Sequence, residues 1–280
     1  SENNDWETLI PVADKDVKSG KKRAAIFEMY SLGLSTNRDE WVFDFNSSKL
    51  ALKIKYFIDS YNKTLTVKNY DFIDAKIKWS ENLKKIHAKH VEIQFNNKYL
   101  SKVIYRPFTK FNYYSDKNLS DRLTDIHYQT FGKSLDTNNF VIGFSGIGSN
   151  KMFSSLATNV LFGVDTLEKT QSLPLYYYNT DGNKLDNITD WGLQQFQSHY
   201  KDKKITKEDI FNYVYGVLHN PAYRKKYELN LKREFPRIPF YVNFKKWAKW
   251  GKELMELHIN YETVKPFNLK LTEVKAVKAN

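Results

Sequence analysis

A change of hydrophobic period near residue 180 constrains this chain more than any other feature. Before it, apolar side chains come in short runs or in alternation, as in "FVIGF", "VLFGV" and "LPLYYY". After "NTDGN" they recur every three to four residues through four consecutive segments, "ITDWGLQQFQSHY", "TKEDIFNYVYGVLHN", "PAYRKKYELNLKRE" and "KKWAKWGKELMELHINYE". A period of two buries one face of a strand and a period near 3.6 buries one stripe of a helix, so strands are expected first and helices last. The expected class is α/β mixed (α+β): a sheet-containing part over residues 1–180 and a helical part over 181–280 packed on it as one compact unit.

Within the first part, residues 25–33 and "EWVFDF" (40–45) surround the loop "GLSTNRD" and read as strand, loop, strand. In "SSKLALKIKYFIDSYNKTL", Leu50, Ile54, Phe57, Ile58 and Tyr61 fall at helical spacing behind Ser47 or Ser48 as cap, with Lys49, Lys53 and Lys63 outward. "ENLKKIHAK" (81–89) fits a short helix. "VEIQF" and "KVIYRPFTKFNYYS" alternate as strands do, with Pro107 marking a sheet edge or a bulge. "NFVIGFS" (139–145) is a further strand, followed by a glycine-containing loop.

Two stretches imitate catalytic motifs. Asn220-Pro221-Ala222-Tyr223 is one proline short of the Asn-Pro-Pro-Tyr loop with which amino-methyltransferases of nucleic acids hold a target base. Its context is wrong, because Thr206 and Asp209 form a capping pair and Ile210, Val214, Val217 and Leu218 line a helix that runs up to His219. Asn220 then serves as N-cap and Pro221 as first helical residue of the next helix, whose buried stripe is Tyr223, Tyr227 and Leu231. The second stretch is "GFSGIGSNKMFSSLATNVLFGVD", where Gly143, Gly146 and Gly148 follow a strand, a short helix fits Ser149–Ala157 and Asp165 closes the next strand. That layout imitates a dinucleotide or S-adenosylmethionine fold, but about eight residues are too few for a crossover that takes a dozen or more. The alternative is a tight loop that presents backbone N–H groups, Ser149, Asn150 and Lys151 to phosphate or base edges. His87 and His90 lack a third ligand at metal spacing, so no metal site is expected, and no cofactor is assigned to the chain.

Charge narrows the partner. The 280 residues, 41% hydrophobic and 16% aromatic, supply a proper core, and the formal net charge is +12. Residues 1–77 carry 12 basic and 12 acidic side chains, whereas 78–133 carry 11 against 5 and 200–261 carry 14 against 7. Clustered Lys and Arg suit a polyanion, since each phosphate neutralised releases counterions; the bland alternative is a solvated lysine-rich surface. No apolar run is long enough to cross a bilayer, "SENNDWE" lacks a signal-peptide layout and cysteine is absent, which together fit the cytoplasm. Two stretches then stand out. "TNRDEW" gathers Thr36, Asn37, Arg38 and Asp39; Asn suits adenine and Arg guanine in bidentate contacts, while Arg38 and Asp39 alternatively form a local ion pair. "YRPFTKFNYY" interleaves Arg106 and Lys110 with aromatics that at strand spacing are mostly core, the basic side chains facing outward.

"GLSTNRDEWVFDF", "YRPFTKFNYYSD", "FVIGFSGIGSNKMFSSLATN", "SLPLYYY" and the long "ITDWGLQQFQSHYKDKKITKEDIFNYVYGVLHNPAYRKKYELNLKREFPRIPF" resemble the C-terminal target-recognition (specificity) region of type ISP restriction–modification enzymes, across residues 20 to 262. Members of that family are long polypeptides resembling a nuclease, a helicase-like translocase and an N6-adenine methyltransferase in series, with this region last. The resemblance implies a non-catalytic segment that binds double-stranded DNA beside the methyltransferase region of the same polypeptide. It places the "STNRD" loop near that junction, with Arg106, Lys110 and the Ser149–Lys151 loop as further DNA contacts. Lys84, Lys85, Arg224, Lys225 and Lys226 are phosphate contacts on charge alone. The competing reading is a free-standing enzyme that binds a nucleotide or S-adenosylmethionine at the 143–151 glycine loop.

Overall fold

The N-terminal end is tied to the helical end: in the computed structural model, which describes residues 5–22, 24–72 and 76–270, β1 (Ile10–Pro11) pairs antiparallel with Arg237–Ile238. Trp6, Val12, Ile26 and Phe27 are buried in the same hydrophobic cluster as the C-terminal helices. One turn, α1 (Lys15–Lys18), is capped by the Asp14 carboxylate, which accepts from the amides of Asp16 and Val17. After β2 (Ser31–Leu32), the expected strand "EWVFDF" is half helix: α2 (Asp39–Val42) is a helical turn and only β3 (Phe43–Asp44) is strand. Local side-chain bonds explain the difference. The Thr36 hydroxyl donates to the Asp39 carboxylate and accepts from the Arg38 amide, which turns the chain before the alternation can extend.

Helix α3 (Ser47–Thr64) buries Leu50, Ile54, Phe57, Ile58 and Tyr61, as the spacing predicts. Its cap is Asn46 rather than Ser47 or Ser48: Asn46 has extended dihedrals and its side-chain oxygen accepts from the Lys49 amide at 2.9 Å. Lys49 and Lys63 face outward, but Lys53 folds back onto the Phe43 carbonyl and Asp44. After α4 (Glu81–Ala88), capped by Ser80, "VEIQF" forms no ladder. Side chains of α3 take its backbone groups instead, Asn62 holding both the Ile93 N–H and C=O and the Tyr61 hydroxyl donating to Val91.

β4 (Leu100–Arg106) and β5 (Thr109–Tyr114) form a hairpin with Pro107 and Phe108 in the turn, just past a register irregularity between Ile104 and Arg106. α5 (Asp125–Phe131) leads to β6 (Val141–Phe144), β7 (Ser155–Thr158), β8 (Leu161–Phe162), β9 (Gln171–Pro174), β10 (Tyr176–Tyr178) and β11 (Lys184–Asp186). No helix spans Ser149–Ala157; β6 and β7 are antiparallel, with Val141 opposite Thr158 and Phe144 opposite Ser155. The glycine loop is therefore a hairpin connection, and the strand-to-helix turn of a dinucleotide site is not built there. Two four-stranded sheets result, in orders β3-β5-β4-β8 and β2-β9-β6-β7.

The helices are α6 (Asp190–Tyr200), α7 (Lys207–Leu218), α8 (Pro221–Lys226), α9 (Glu228–Arg233) and, after β12 (Arg237–Ile238), α10 (Phe244–Ile259). The Thr206–Asp209 capping box, the Asn220 cap and the buried Tyr223, Tyr227 and Leu231 are as expected. The third helical segment, however, breaks at Tyr227 into α8 and α9. α7 is buried all round from Ile210 to Leu218, and α10 crosses it at glycine: a Cβ on Gly251 would lie 1.8 Å from the Asn212 carbonyl oxygen.

Packing does not divide at residue 180. One cluster joins Trp6, Ile10, Val12, Ala13, Ile26, Phe27, Ile142, Phe144, Leu173 and Leu175 to the helices; the other runs from Leu34 to Leu167 around α3, β4 and β5. Among the described residues, no helix is long and apolar enough to cross a membrane.

Candidate nucleic-acid interface

Parallel pairing gathers the loops at one sheet end. β4 and β8 run parallel, with Val103 opposite Leu161 and Ile104 opposite Phe162, and Leu34 makes a parallel bridge to Gly163. The chain therefore leaves Leu34, Arg106 and Gly163 in the same direction, into loops 35–38, 107–108 and 164–170. The β6–β7 loop joins them: the Gly146 amide donates to the Glu168 carbonyl at 3.0 Å and the Lys169 ammonium to the Gly148 carbonyl at 2.8 Å. Gly146 is required for this approach, since a Cβ would sit 2.0 Å from the Lys169 carbonyl oxygen.

Arg106, Pro107, Lys151, Ser154, Asp165 and Glu168 line a concavity of about 410 Å³ between these loops. Exposed apolar side chains stand on the same loops: Phe108 at 44%, Ile147 at 46% and Met152 at 80%. Phe108, Glu168 and Lys169 hold left-handed φ values of 54°, 63° and 51°, a cost that non-glycine residues bear where surrounding contacts fix them. Basic, apolar and hydrogen-bonding groups therefore stand together on loops that are tied to one another.

The expected site residues divide sharply. Arg106 is exposed, its guanidinium 4.1 Å from the Tyr105 ring centroid and donating to the Tyr105 carbonyl. Asn150 and Lys151 are exposed and Ser149 buried; all three are held by one carboxylate, Glu168, which accepts from the Ser149 hydroxyl at 2.7 Å and from the Asn150 and Lys151 amides at 3.3 and 3.2 Å. Those hydrogen bonds hold Glu168 below the usual carboxylate range.

The 36–39 loop is turned inward. Arg38 is 0% exposed; its guanidinium donates to the Ser80 hydroxyl at 2.6 Å and meets the Asp121 carboxylate at 3.5 Å, so it braces the fold instead of facing a groove. Burial lowers its pKa, with Asp121 and Glu40 opposing the shift. Its ion partner is Asp121, not Asp39, whose carboxylate is taken by the buried Thr36. Asn37 alone of the four is exposed, in a left-handed turn and donating to Asp121 at 2.7 Å.

Lys110 is also not outward. Its ammonium pairs with Glu262 at 3.2 Å and donates to the Ile259 carbonyl, while its amide donates to the Tyr261 hydroxyl. With Phe108 packed on His258 and Tyr261, it joins the hairpin to the end of α10. Of the charge-based positions, Lys84 pairs with Glu81 and Lys226 with Asp5, Arg224 is half-buried and donates to the Leu218 carbonyl beside Phe153, and Lys85 and Lys225 are exposed.

Sequence reasoning missed two features. Residues 166–169 carried no motif, and their place beside the β6–β7 loop comes only from contacts distant in sequence. Lys204, Lys245, Lys249 and Lys252 line a groove of about 310 Å³ on the α7–α10 seam, which the charge excess in 200–261 signalled without locating.

Residues 25–280 match the type ISP C-terminal specificity domain. Among solved structures, the chain is 44% identical to the protein in the DrdV–DNA complex, with TM-score 0.91 over 96% of this chain and 27% of that one. It is 30% identical (TM-score 0.84) to LlaBIII, an ATP-dependent type ISP restriction–modification enzyme bound to DNA, covering 96% of this chain and 18% of that one. It is 29% identical (TM-score 0.78) to a nuclease-deletion mutant of the type ISP enzyme LlaGI in complex with a DNA substrate mimic, over 96% and 24%. The chain thus spans about a quarter or less of each of these polypeptides. No curated protein matches it. The chain belongs to the type ISP C-terminal specificity domain family.

Proposed function

We propose that this chain is the target-recognition module of a restriction–modification enzyme: it binds double-stranded DNA in a sequence-dependent way and holds it for an N6-adenine methyltransferase region, with nuclease and translocase, elsewhere in a longer polypeptide. The observation that carries this reading is the concavity in which Arg106 and Lys151, from two separate hairpins, face one space among tightly tied loops. The relatives of known structure are DNA complexes, and the basic excess of the two chain segments supplies the charge that phosphates require. No group in this reading performs chemistry; the chain contributes affinity, register and sequence choice. Exposed Arg106, Asn150 and Lys151 reach the duplex directly, whereas Arg38 and Lys110 fix the loops from behind.

The test is titration of duplex DNA at several salt concentrations, before and after selection from a randomised duplex pool. The reading predicts a log–log slope of about −0.9 per phosphate neutralised and enrichment of one sequence family. Salt-independent binding, or a pool left unenriched, contradicts it.

A further inference from the structure

The Ser149–Lys151 turn is shaped to take an anion, and the chain supplies that anion itself. Both oxygens of Glu168 are engaged, one by the Ser149 hydroxyl and the Lys151 amide and the other by the Asn150 amide. The Lys151 amide is shared with the Ser149 hydroxyl oxygen, at 3.1 Å. Successive backbone N–H groups in such a turn are the usual cradle of a phosphate, so an unfilled turn on a DNA-facing surface is a non-specific backbone contact. Filled by a carboxylate, the same turn repels phosphate and has no free donors in its backbone. What remains to meet DNA are the exposed side chains of Asn150 and Lys151, groups that suit the adenine edge and the guanine edge respectively.

The Glu168 backbone is held as well. Its backbone is left-handed, its carbonyl accepts from Gly146, and the next residue, Lys169, reaches across to the Gly148 carbonyl, so the carboxylate is aimed from a clamped base. It also lines the concavity beside Arg106 and Lys151, so the carboxylate that fills the turn lies on the same surface as the two exposed cations.

We propose that Glu168 is a specificity-positioning residue: its carboxylate occupies the anion cradle of residues 149–151 in place of a DNA phosphate and so commits that turn to reading bases. The inference rests on the DNA-recognition reading above.

The variants are Glu168→Ala, which empties the cradle, and Glu168→Gln, which keeps the size and loses the charge. Each is compared with the unsubstituted chain by selection from the randomised duplex pool and then by salt titration on the selected and a scrambled duplex, with thermal melts confirming that each is folded. For Glu168→Ala the expected result is a salt slope steeper by about 0.9, one added phosphate contact, and a selected-to-scrambled affinity ratio reduced at least tenfold. Glu168→Gln is expected to lose discrimination to a smaller extent. Lys151→Ala combined with Glu168→Ala retains the added slope, because the backbone supplies the new contact. A folded Glu168→Ala with unchanged slope and ratio overturns the proposal, as does a uniform loss of affinity on both duplexes at unchanged slope, which marks a merely structural role. If the unsubstituted chain itself enriches no sequence, the recognition reading fails and not this inference alone.

Discussion

Two loops of this chain carry the same kind of residues and lead opposite lives. Thr36–Asp39 and Ser149–Lys151 each join hydrogen-bonding side chains to a cation, and each meets a carboxylate from far along the chain, Asp121 in one case and Glu168 in the other. In the first loop the carboxylate takes side chains, so the Arg38 guanidinium is drawn wholly inside. In the second it takes backbone amides and a hydroxyl, and the side chains of Asn150 and Lys151 remain outside. What a loop offers a partner depends less on which groups it contains than on which of them the fold has already bound.

The largest expected effect breaks the first loop. Asp121→Ala leaves the buried Arg38 guanidinium without its counter-ion and is expected to destabilise the fold by about 3–5 kcal/mol in a urea titration. A cost below about 1 kcal/mol contradicts the bracing role. The second loop should respond in the reverse way. Lys151→Ala and Arg106→Ala are each expected to leave stability within about 0.5 kcal/mol while weakening binding to the selected duplex by about 1–3 kcal/mol. Equal losses in stability and binding erase the distinction between the loops.

Acid sharpens the contrast at the joint that supports the hairpin. Burial pushes His219 down to about 4 and lowers His258, whose Nδ1 is 2.5 Å from the Tyr215 hydroxyl. Both groups bind protons more readily unfolded than folded, so their contribution is complete above the ordinary value of about 6.5 and is lost as pH falls toward 4. Unfolding free energy measured from pH 7 to pH 4 is therefore expected to fall, and His219→Gln to flatten the decline. A stability that rises on acidification contradicts the assignment. The smallest effect belongs to Lys84→Ala: an exposed pair with Glu81 is expected to contribute less than about 0.5 kcal/mol to stability, and the salt slope shifts by no more than about one phosphate.

The stripe of α3, the Thr206–Asp209 box and the Asn220-Pro221 helix start were legible because each is decided within a few residues. "VEIQF" was not, since alternation says nothing about whether a partner strand exists, and Asn62 took its backbone groups first. The packing boundary was equally hidden: the β1–β12 pairing joins segments far apart in sequence that no local pattern connects. For the site, Arg106 and Lys151 were readable as exposed cations. Arg38 and Lys110 were not, because their partners Asp121, Ser80 and Glu262 lie in other segments. Glu168 gave no signal at all; its contacts with Ser149 and Gly146 arise only where the β6–β7 hairpin meets the loop after β8.

The absence of cysteine allows the central claim to be tested directly, because a single introduced thiol carries a single label. Lys151→Cys, modified with a short photo-activated cross-linker, is irradiated with duplex DNA at a salt concentration where the chain binds. The account predicts a covalent adduct with duplex that competes away with unlabelled duplex. Bound DNA without any adduct from this position contradicts the placement of the interface.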